Sequence, residues 1–247
     1  MLTEQRHNAI LHILSEKGSV TVAELKTLLN ISESTARRDI TQLARMGKLE
    51  KVFGGAISLE SNISTNEPTV RQKSELHREE KRWISAYAAS LVRPSDFVYI
   101  DAGTTTEGMI DFLPDDNSIS YVTNGVSHAQ KMMASGKRVI LVGGELKNST
   151  EAVVGADAVL MLQKYHFSRG FFGSNGISLE EGFTTPDPGE ALVKQTAIQQ
   201  CRLAYVLADS TKFDVVSSVT FCPIEKAQIL TERIPDRYNQ LENITRV

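Results

Sequence analysis

Beyond about residue 76 this chain alternates between two kinds of segment, and that alternation constrains its fold more than any other feature. Short apolar runs at Phe97–Ile100, Ile119–Val122, Val139–Val142, Gly170–Phe172, Ala204–Leu207 and Ala227–Leu230 have strand length. Between them, Thr106–Leu113, Val126–Ala134, Gly155–Gln163 and Glu190–Gln200 have the length and spacing of helices. A strand covered on both faces needs no polar side, so it reads as a continuous apolar run. The pattern predicts an open, mostly parallel α/β sheet. Ahead of it, Trp83, Tyr87, Ser90 and Leu91 suit one further helix, with Trp83 expected in the core. At 247 residues and 41% hydrophobic content, the chain can build one or two domains.

The first 57 residues have a different texture. Ile10, Ile13 and Leu14 form an apolar stripe on a first helix that Gly18 ends, and Ser19-Val20 leaves room for one short strand. Thr21-Val22-Ala23-Glu24 is a capping box, in which Thr21 and Glu24 satisfy each other's free backbone donors. It starts a second helix with Leu25, Leu28 and Leu29 expected inward. Asn30-Ile31 makes a tight turn, and Ser32 caps a third helix running to about Met46, where Gly47 stops it. Lys48 to Ser58 reads as two strands joined at Gly54-Gly55. This order of elements is a winged helix-turn-helix.

The third helix divides its faces by charge. At 100° per residue, Ala36, Ile40 and Leu43 share one side, while Ser34, Arg38, Thr41 and Arg45 share the other with Arg37 on its flank. Hydroxyls and arginines on one exposed face suit a major groove, where Arg forks onto guanine edges and Ser or Thr meets bases or phosphates. The bland alternative is an ordinary solvated face. The capped helix before it and the Gly-Gly hairpin after it favour the groove reader, with Lys48 and Lys51 on the wing near phosphates. The candidate DNA contacts are therefore Thr21, Ser32, Ser34, Thr35, Arg37, Arg38, Thr41, Arg45, Lys48 and Lys51.

Charge agrees with this division. Residues 1–56 carry eight Lys/Arg and six Asp/Glu; removing these from the totals of 27 and 30 leaves 19 basic and 24 acidic residues, a head of +2 on a body of −5. A net charge of −3 excludes a histone-like polyanion binder. Cys201 and Cys222 lie far apart in no CxxC pattern, and the five histidines show no ligand spacing, so neither a disulfide scaffold nor a metal site is expected. No apolar run approaches a membrane span and no signal peptide opens the chain, so it reads as cytoplasmic; the sequons at Asn62 and Asn148 are read as chance. There is no GxGxxG or GxxxxGK[ST], and no cofactor is expected.

Ligands of open α/β sheets bind outside the carboxyl ends of the strands. The residues following the first five strands are Asp101-Ala102-Gly103-Thr104-Thr105-Thr106, Thr123-Asn124-Gly125, Gly143-Gly144-Glu145, Gly173-Ser174-Asn175-Gly176 and Asp209-Ser210-Thr211-Lys212. All are small and polar, and Gly103–Thr106 opening a helix offers N–H groups and hydroxyls to an anion. Loop chemistry alone is the competing explanation. Asp101, Glu190, Lys194, Asp209 and Lys212 could instead form an acid/base set, although Glu190 and Lys194, four residues apart on a helix, are by default a surface ion pair.

At this point the residues resemble a known family. Ser32-Glu33-Ser34-Thr35-Ala36-Arg37-Arg38-Asp39-Ile40, followed by Phe53-Gly54-Gly55-Ala56, resembles the deoxyribonucleoside-operon-repressor (DeoR) family of bacterial regulators. Asp101–Thr106, Thr123-Asn124, Gly143-Gly144, Phe172–Ile177 and Asp209–Phe213 agree, so the resemblance covers essentially the whole chain. Arg169 departs from a pattern that more usually carries lysine. The resemblance implies a sugar-catabolism repressor whose body resembles ribose-5-phosphate isomerase in fold and senses a phosphorylated sugar. Asn175-Gly176-Ile177 and Gly182-Phe183-Thr184-Thr185-Pro186-Asp187 are similar to fructose-operon repressors of Gram-positive bacteria, which makes fructose 1-phosphate the first candidate effector.

The expected organisation is a winged helix-turn-helix at 1–57, a linker at 58–75 and a sensing and oligomerisation domain at 76–247. Its expected partners are double-stranded operator DNA, a phosphorylated sugar and a second copy of itself, as homodimer or homotetramer, with no membrane. The competing reading is an isomerase-like enzyme with an accessory head, but an isomerase has no use for a groove-reading helix. The phosphate is expected at Gly103–Thr106 and Lys212, and the sugar hydroxyls at Asp101, Asn124, Asn175 and Asp209. Thr123, Gly143, Gly144, Gly173, Gly176, Glu190 and Lys194 complete the candidate effector set.

Overall fold

The computed structural model describes residues 3–52, 54–58, 63–64 and 70–247, and its contacts divide the chain into two compact units, Met1–Asn62 and Ile63–Val247. Phe53 and most of the 58–69 stretch read as linker lie outside the described residues.

The head contains α1 (Thr3–Lys17), β1 (Ser19–Thr21), α2 (Val22–Leu29), α3 (Glu33–Arg45), β2 (Leu49–Val52) and β3 (Gly55–Ser58). β3 pairs antiparallel with both β1 and β2, giving a three-stranded wing. Gly55 is where the wing closes on the head, because a Cβ there would sit 2.2 Å from the Val20 carbonyl oxygen. Ile10, Leu14, Leu25, Ala36, Ile40, Leu43 and Leu49 form the core as the helical spacing requires. Leu28 does not join them: it is 52% exposed, because two-turn α2 buries only Val22 and Leu25.

The body opens with β4 (Ile63–Ser64), α4 (Val70–Glu75) and α5 (Arg78–Ser90); the first two, with Ser58 at the end of β3, are the described parts of the 58–75 stretch. Then β5 (Phe97–Ile100), α6 (Thr104–Met109), β6 (Ser120–Thr123), α7 (Val126–Ala134) and β7 (Val139–Leu141) alternate. A hairpin of β8 (Glu145–Lys147) and β9 (Ala152–Val154) precedes α8 (Ala156–Leu162) and β10 (Phe167–Gly173). β11 (Gly176–Ser178), β12 (Gly182–Thr185) and α9 (Pro188–Gln199) lead to β13 (Cys201–Leu207), β14 (Val216–Ser217), β15 (Val219–Cys222), β16 (Gln228–Thr231) and β17 (Ile244–Arg246).

The main sheet runs β17-β16-β13-β10-β5-β6-β7, and every neighbouring pair is parallel. The six expected strands are all in it, together with β17, whose three residues are too short to announce a strand. Alternate residues of each strand serve opposite faces. Tyr99, Val122, Phe172, Val206 and Ile229 pack towards Ala158 and Leu162 of α8 and Val193 and Ala197 of α9. Val98, Ile100, Tyr121, Phe171, Leu207 and Leu230 pack towards Ile84 and Ala88 of α5, Met109 of α6 and Met132 of α7. Each large side chain buried this way contributes roughly 1.5–3 kcal/mol, so the sheet is held rigidly between two helical layers.

Trp83 is not in that core. It is 56% exposed, and Tyr87 one turn later is exposed too. α5 instead buries Ile84, Ser85, Ala88 and Ala89. Small residues on this face let α5 and α6 approach closely: a Cβ on Gly108 would lie 2.9 Å from the Ser85 hydroxyl.

Candidate functional site

In the head, Ser32 caps α3 by accepting the Thr35 N–H at 3.2 Å, and its hydroxyl also lies 2.8 Å from those of Ser34 and Thr35. The helix therefore begins in a cluster of hydroxyls. Beyond it, Arg37 approaches Glu33 at 3.9 Å, a loose exposed pair, while Arg38, Arg45 and Lys48 are exposed and make no side-chain hydrogen bond or ion pair among the described residues. Lys51 of the wing donates to the Thr41 hydroxyl at 3.0 Å, fixing β2 against the middle of α3. Thr21 takes the capping role read from the sequence, accepting the Glu24 N–H at 3.1 Å while its own N–H donates to the Glu24 carboxylate at 2.8 Å.

Sequence reasoning passed over Asp39. It is buried in the same helix and receives a fork from Arg6 of α1, Nε at 2.8 Å and Nη2 at 3.1 Å. Burial pushes its carboxyl up, but the Arg6 fork outweighs this and holds it below the usual carboxylate range. The signal available was an acid within an otherwise basic reading helix.

In the body, a cavity of about 290 Å³ opens at the carboxyl ends of β5, β10 and β13. Gly103, Thr104 and Thr105 line it after β5, Gly173, Ser174 and Asn175 after β10, and Asp209, Thr211 and Lys212 after β13. Glu190 and Lys194 reach it from α9, and Val70, Lys73, Leu76, His77 and Lys81 from α4, α5 and the turn between them. Lys73 and Lys81 were missed because the polar run before the first strand shows no period that ties it to a strand end.

Glu190 and Lys194 do not pair with one another and are not on the surface. Both are buried, and Lys194 is bound to Asp101, while Glu190 accepts from Lys147 at 3.1 Å and Thr150 at 2.6 Å. The helix spacing is overridden because this face of α9 lies against the sheet and meets residues distant in sequence. Asp101 is wholly buried beneath the cavity, where its Oδ2 also accepts the Gly173 N–H at 3.1 Å. Burial raises its carboxyl above the ordinary value despite Lys194.

The ends of β6 and β7 do not reach the cavity. Neighbouring strands lie about 4.8 Å apart, so Gly143 and Gly144, after β7, stand two strands out from β5. Gly144 instead allows β9 to approach, a Cβ there meeting the Val154 carbonyl oxygen at 2.6 Å. Asn124 accepts the Ala102 N–H at 2.9 Å and donates to the Val153 carbonyl at 3.3 Å. The Thr123 hydroxyl accepts the Gly125 N–H at 3.0 Å. Gly176 leaves room for the Val215 carbonyl, 2.2 Å from where a Cβ would stand. These residues shape the loops rather than line the site.

Thr106 is likewise turned to support, donating to the Asp101 carbonyl at 2.6 Å and lying 3.3 Å from His128 Nε2. That nitrogen accepts the Gly103 N–H at 3.4 Å, and burial lowers the imidazole to about 4, so a neutral ring braces the loop. Arg169 pairs with Asp96 at 2.7 Å, at the opposite end of β10 from the cavity. Among the described residues, no group of three or more His, Cys, Asp or Glu is placed to hold a metal ion, and no helix is long and apolar enough to cross a membrane.

What the cavity offers is a polar lining in which Lys194 is matched by Asp101 and Glu190 by Lys147, while the buried Asp209 carboxylate accepts from Thr211. Lys212 makes no side-chain hydrogen bond or ion pair among the described residues. It can bind a small polar anion.

Known proteins agree with both halves. The DeoR-like helix-turn-helix domain family matches residues 6–62, and the DeoR C-terminal sensor domain family matches residues 76–233. The chain is 43% identical over 231 residues to the uncharacterized HTH-type transcriptional regulator FruR of Bacillus subtilis strain 168, covering 94% of this chain and 91% of that protein. It is 32% identical to the HTH-type transcriptional regulator IolR of the same strain, covering 94% and 92% of the two chains. With the lactose phosphotransferase system repressor of Staphylococcus aureus strain N315 it shares 31% identity, over 92% and 90%. Among solved structures, ribose 5-phosphate isomerase A of Methanocaldococcus jannaschii aligns with a TM-score of 0.41 and 12% identity, over 55% of this chain and 54% of that one.

Proposed function

Because this chain belongs to the DeoR family of DNA-binding transcriptional regulators, we propose that it represses a sugar-utilisation operon under the control of a phosphorylated sugar held in the body. α3 reads the operator with Arg38 and Arg45, which are exposed and unpaired among the described residues. The effector occupies the cavity at the ends of β5, β10 and β13, its phosphate against Thr104, Thr105 and Lys212. Asn175 and Asp209 meet the sugar hydroxyls, while Asp101 and Asn124 support the site from behind. Fructose 1-phosphate is the first candidate, on the likeness at Phe183–Asp187 and the 43% identity to the regulator named FruR.

The observation that carries the reading is Lys212, a cation in a polar cavity that has no side-chain partner among the described residues, while Lys194 and Glu190 beside it are already paired. A body of net charge −5 gives an anion no long-range attraction, so such local donors must hold it. Calorimetry with fructose 1-phosphate and other hexose phosphates tests this. Lys212→Ala and Thr105→Val should both lose affinity while operator binding without effector survives; unchanged affinity in both variants places the effector elsewhere.

The named relatives are transcriptional regulators, and we assign no catalytic role to Asp101 or Lys194, which hold each other. A head with five Lys/Arg between Arg37 and Lys51 has a small footprint, which symmetric pairing doubles. The protein is therefore read as a homodimer or homotetramer acting in the cytoplasm, and light scattering on the full chain checks the stoichiometry.

A further inference from the structure

The two edges of the main sheet are built differently. β17 closes one side with Thr245 and the exposed Arg246, residues of the polar and charged kind that blunt an edge. β7 closes the other with Val139, Ile140 and Leu141, without a charge or a proline, and Leu141 is 41% exposed. An open apolar edge is a template for another strand.

The ladder to β6 fixes which backbone groups of β7 are open. The Arg138 carbonyl accepts the Tyr121 N–H at 2.9 Å, and the Val142 N–H donates to the Thr123 carbonyl at 2.9 Å. Alternate residues of a parallel ladder turn to the same neighbour, so Arg138, Ile140 and Val142 face β6. Val139 and Leu141 therefore turn their N–H and C=O groups outward, where they meet no partner among the described residues.

Such an edge fits a second copy of itself. With the strands antiparallel and Ile140 opposite Ile140, Val139 of each copy faces Leu141 of the other and exchanges both hydrogen bonds with it. Every outward group of the strand is then used, about the two-fold axis of an isologous dimer. The charges agree. Arg138 ahead of the strand and Glu145 beyond it are exposed and make no side-chain hydrogen bond or ion pair among the described residues. Antiparallel pairing carries the basic end of one copy towards the acidic end of the other, whereas a parallel neighbour would bring like charges together.

We propose that two copies of this chain join through β7, which pairs antiparallel with its counterpart about Ile140 and makes the two sheets one. This rests on the reading of the protein as a homodimer or homotetramer, and it names the surface that reading requires. β7 stands two strands from β5, so the pairing uses none of the cavity's residues.

Light scattering and oxidative crosslinking on the full chain test the surface. Opposed residues that exchange no backbone hydrogen bonds have Cα atoms about 4.5 Å apart, within disulfide reach. Ile140→Cys should therefore form a covalent dimer under mild oxidation, reversed by reductant. Met133→Cys, at an exposed position of α7, and wild type, with Cys201 and Cys222 only, should not. Leu141→Lys, which sets a charge on the edge, should halve the mass while keeping the circular dichroism spectrum of wild type. An unchanged mass in Leu141→Lys, or no crosslink in Ile140→Cys while wild type is oligomeric, overturns this surface and leaves the oligomer standing. A wild-type chain that is monomeric at micromolar concentration removes the oligomer and this inference with it. Either variant decides where the other does not fold.

Discussion

In the head, the side chains proposed to meet DNA all lie between Thr21 and Lys51, and Arg38, Arg45 and Lys48 stand exposed and unpaired among the described residues. In the body, the cavity draws on segments from Val70 to Ser217, and several of its polar groups already hold one another. The difference is one of construction. A reading helix is a continuous stretch whose outer face carries contacts and whose inner face carries stability, so the two can be altered separately. A site at the ends of parallel strands is assembled from loops that brace each other, so a change there disturbs both.

The comparison is tested most severely at Lys194. Lys194→Ala leaves Asp101 buried without its partner and should cost about 3–5 kcal/mol, as read by denaturant unfolding. Replacing both, as Asp101→Leu with Lys194→Met, should recover most of that loss. A single variant as stable as wild type would show that the body's site is no more tightly braced than the head's surface.

The head supplies the matching pair. Ile40→Ala, at a buried position of α3, should cost about 2–5 kcal/mol of stability. Arg38→Ala, two residues away on the exposed face, should leave the melting temperature unchanged and cost about 1–3 kcal/mol of operator affinity in a gel-shift titration. A folded Arg38→Ala protein with full affinity removes that residue from the groove.

The smallest effect is in pH dependence, where two buried carboxylates behave oppositely. Asp39, held below the usual range by Arg6, stabilises the fold above its unfolded pKa and loses that contribution as pH falls through its folded value. Asp101, raised by burial, binds its proton more tightly when folded, so its contribution declines as pH rises from the ordinary carboxylate value. Unfolding free energies between pH 3 and 7, roughly the range spanned by shifted carboxylates, should show a shallower acid loss in Asp39→Asn and a steeper one in Asp101→Asn. Identical slopes in the two variants would contradict the assignment.

Legibility in the sequence followed the same division. The inner face of α3 at Ala36, Ile40 and Leu43 could be read because period 3.6 operates within one continuous segment. The central strands could be read because burial on both faces leaves an uninterrupted apolar run, and topology then pointed to their carboxyl ends. Which ends converge depends on strand order, which sequence does not fix, so Gly143 and Gly144 were grouped with a site two strands away. The partners of Glu190 and Lys194 depended on which face of α9 meets the sheet. Trp83 misled because close helix packing can select Ser85, Ala88 and Ala89 for the interior and leave the indole outside.

That displaced indole makes the molecule its own reporter. Trp83 is the chain's single tryptophan, it belongs to the body, and it stands two residues from Lys81 on α5. Its native emission should already be red-shifted, as for a partly hydrated ring, so unfolding moves the spectrum little. A change at α4 or α5 alters its surroundings while the fold persists. Tryptophan fluorescence of the unlabelled protein is thus suited to following ligand occupancy, and a binding isotherm recorded this way would reflect the body alone.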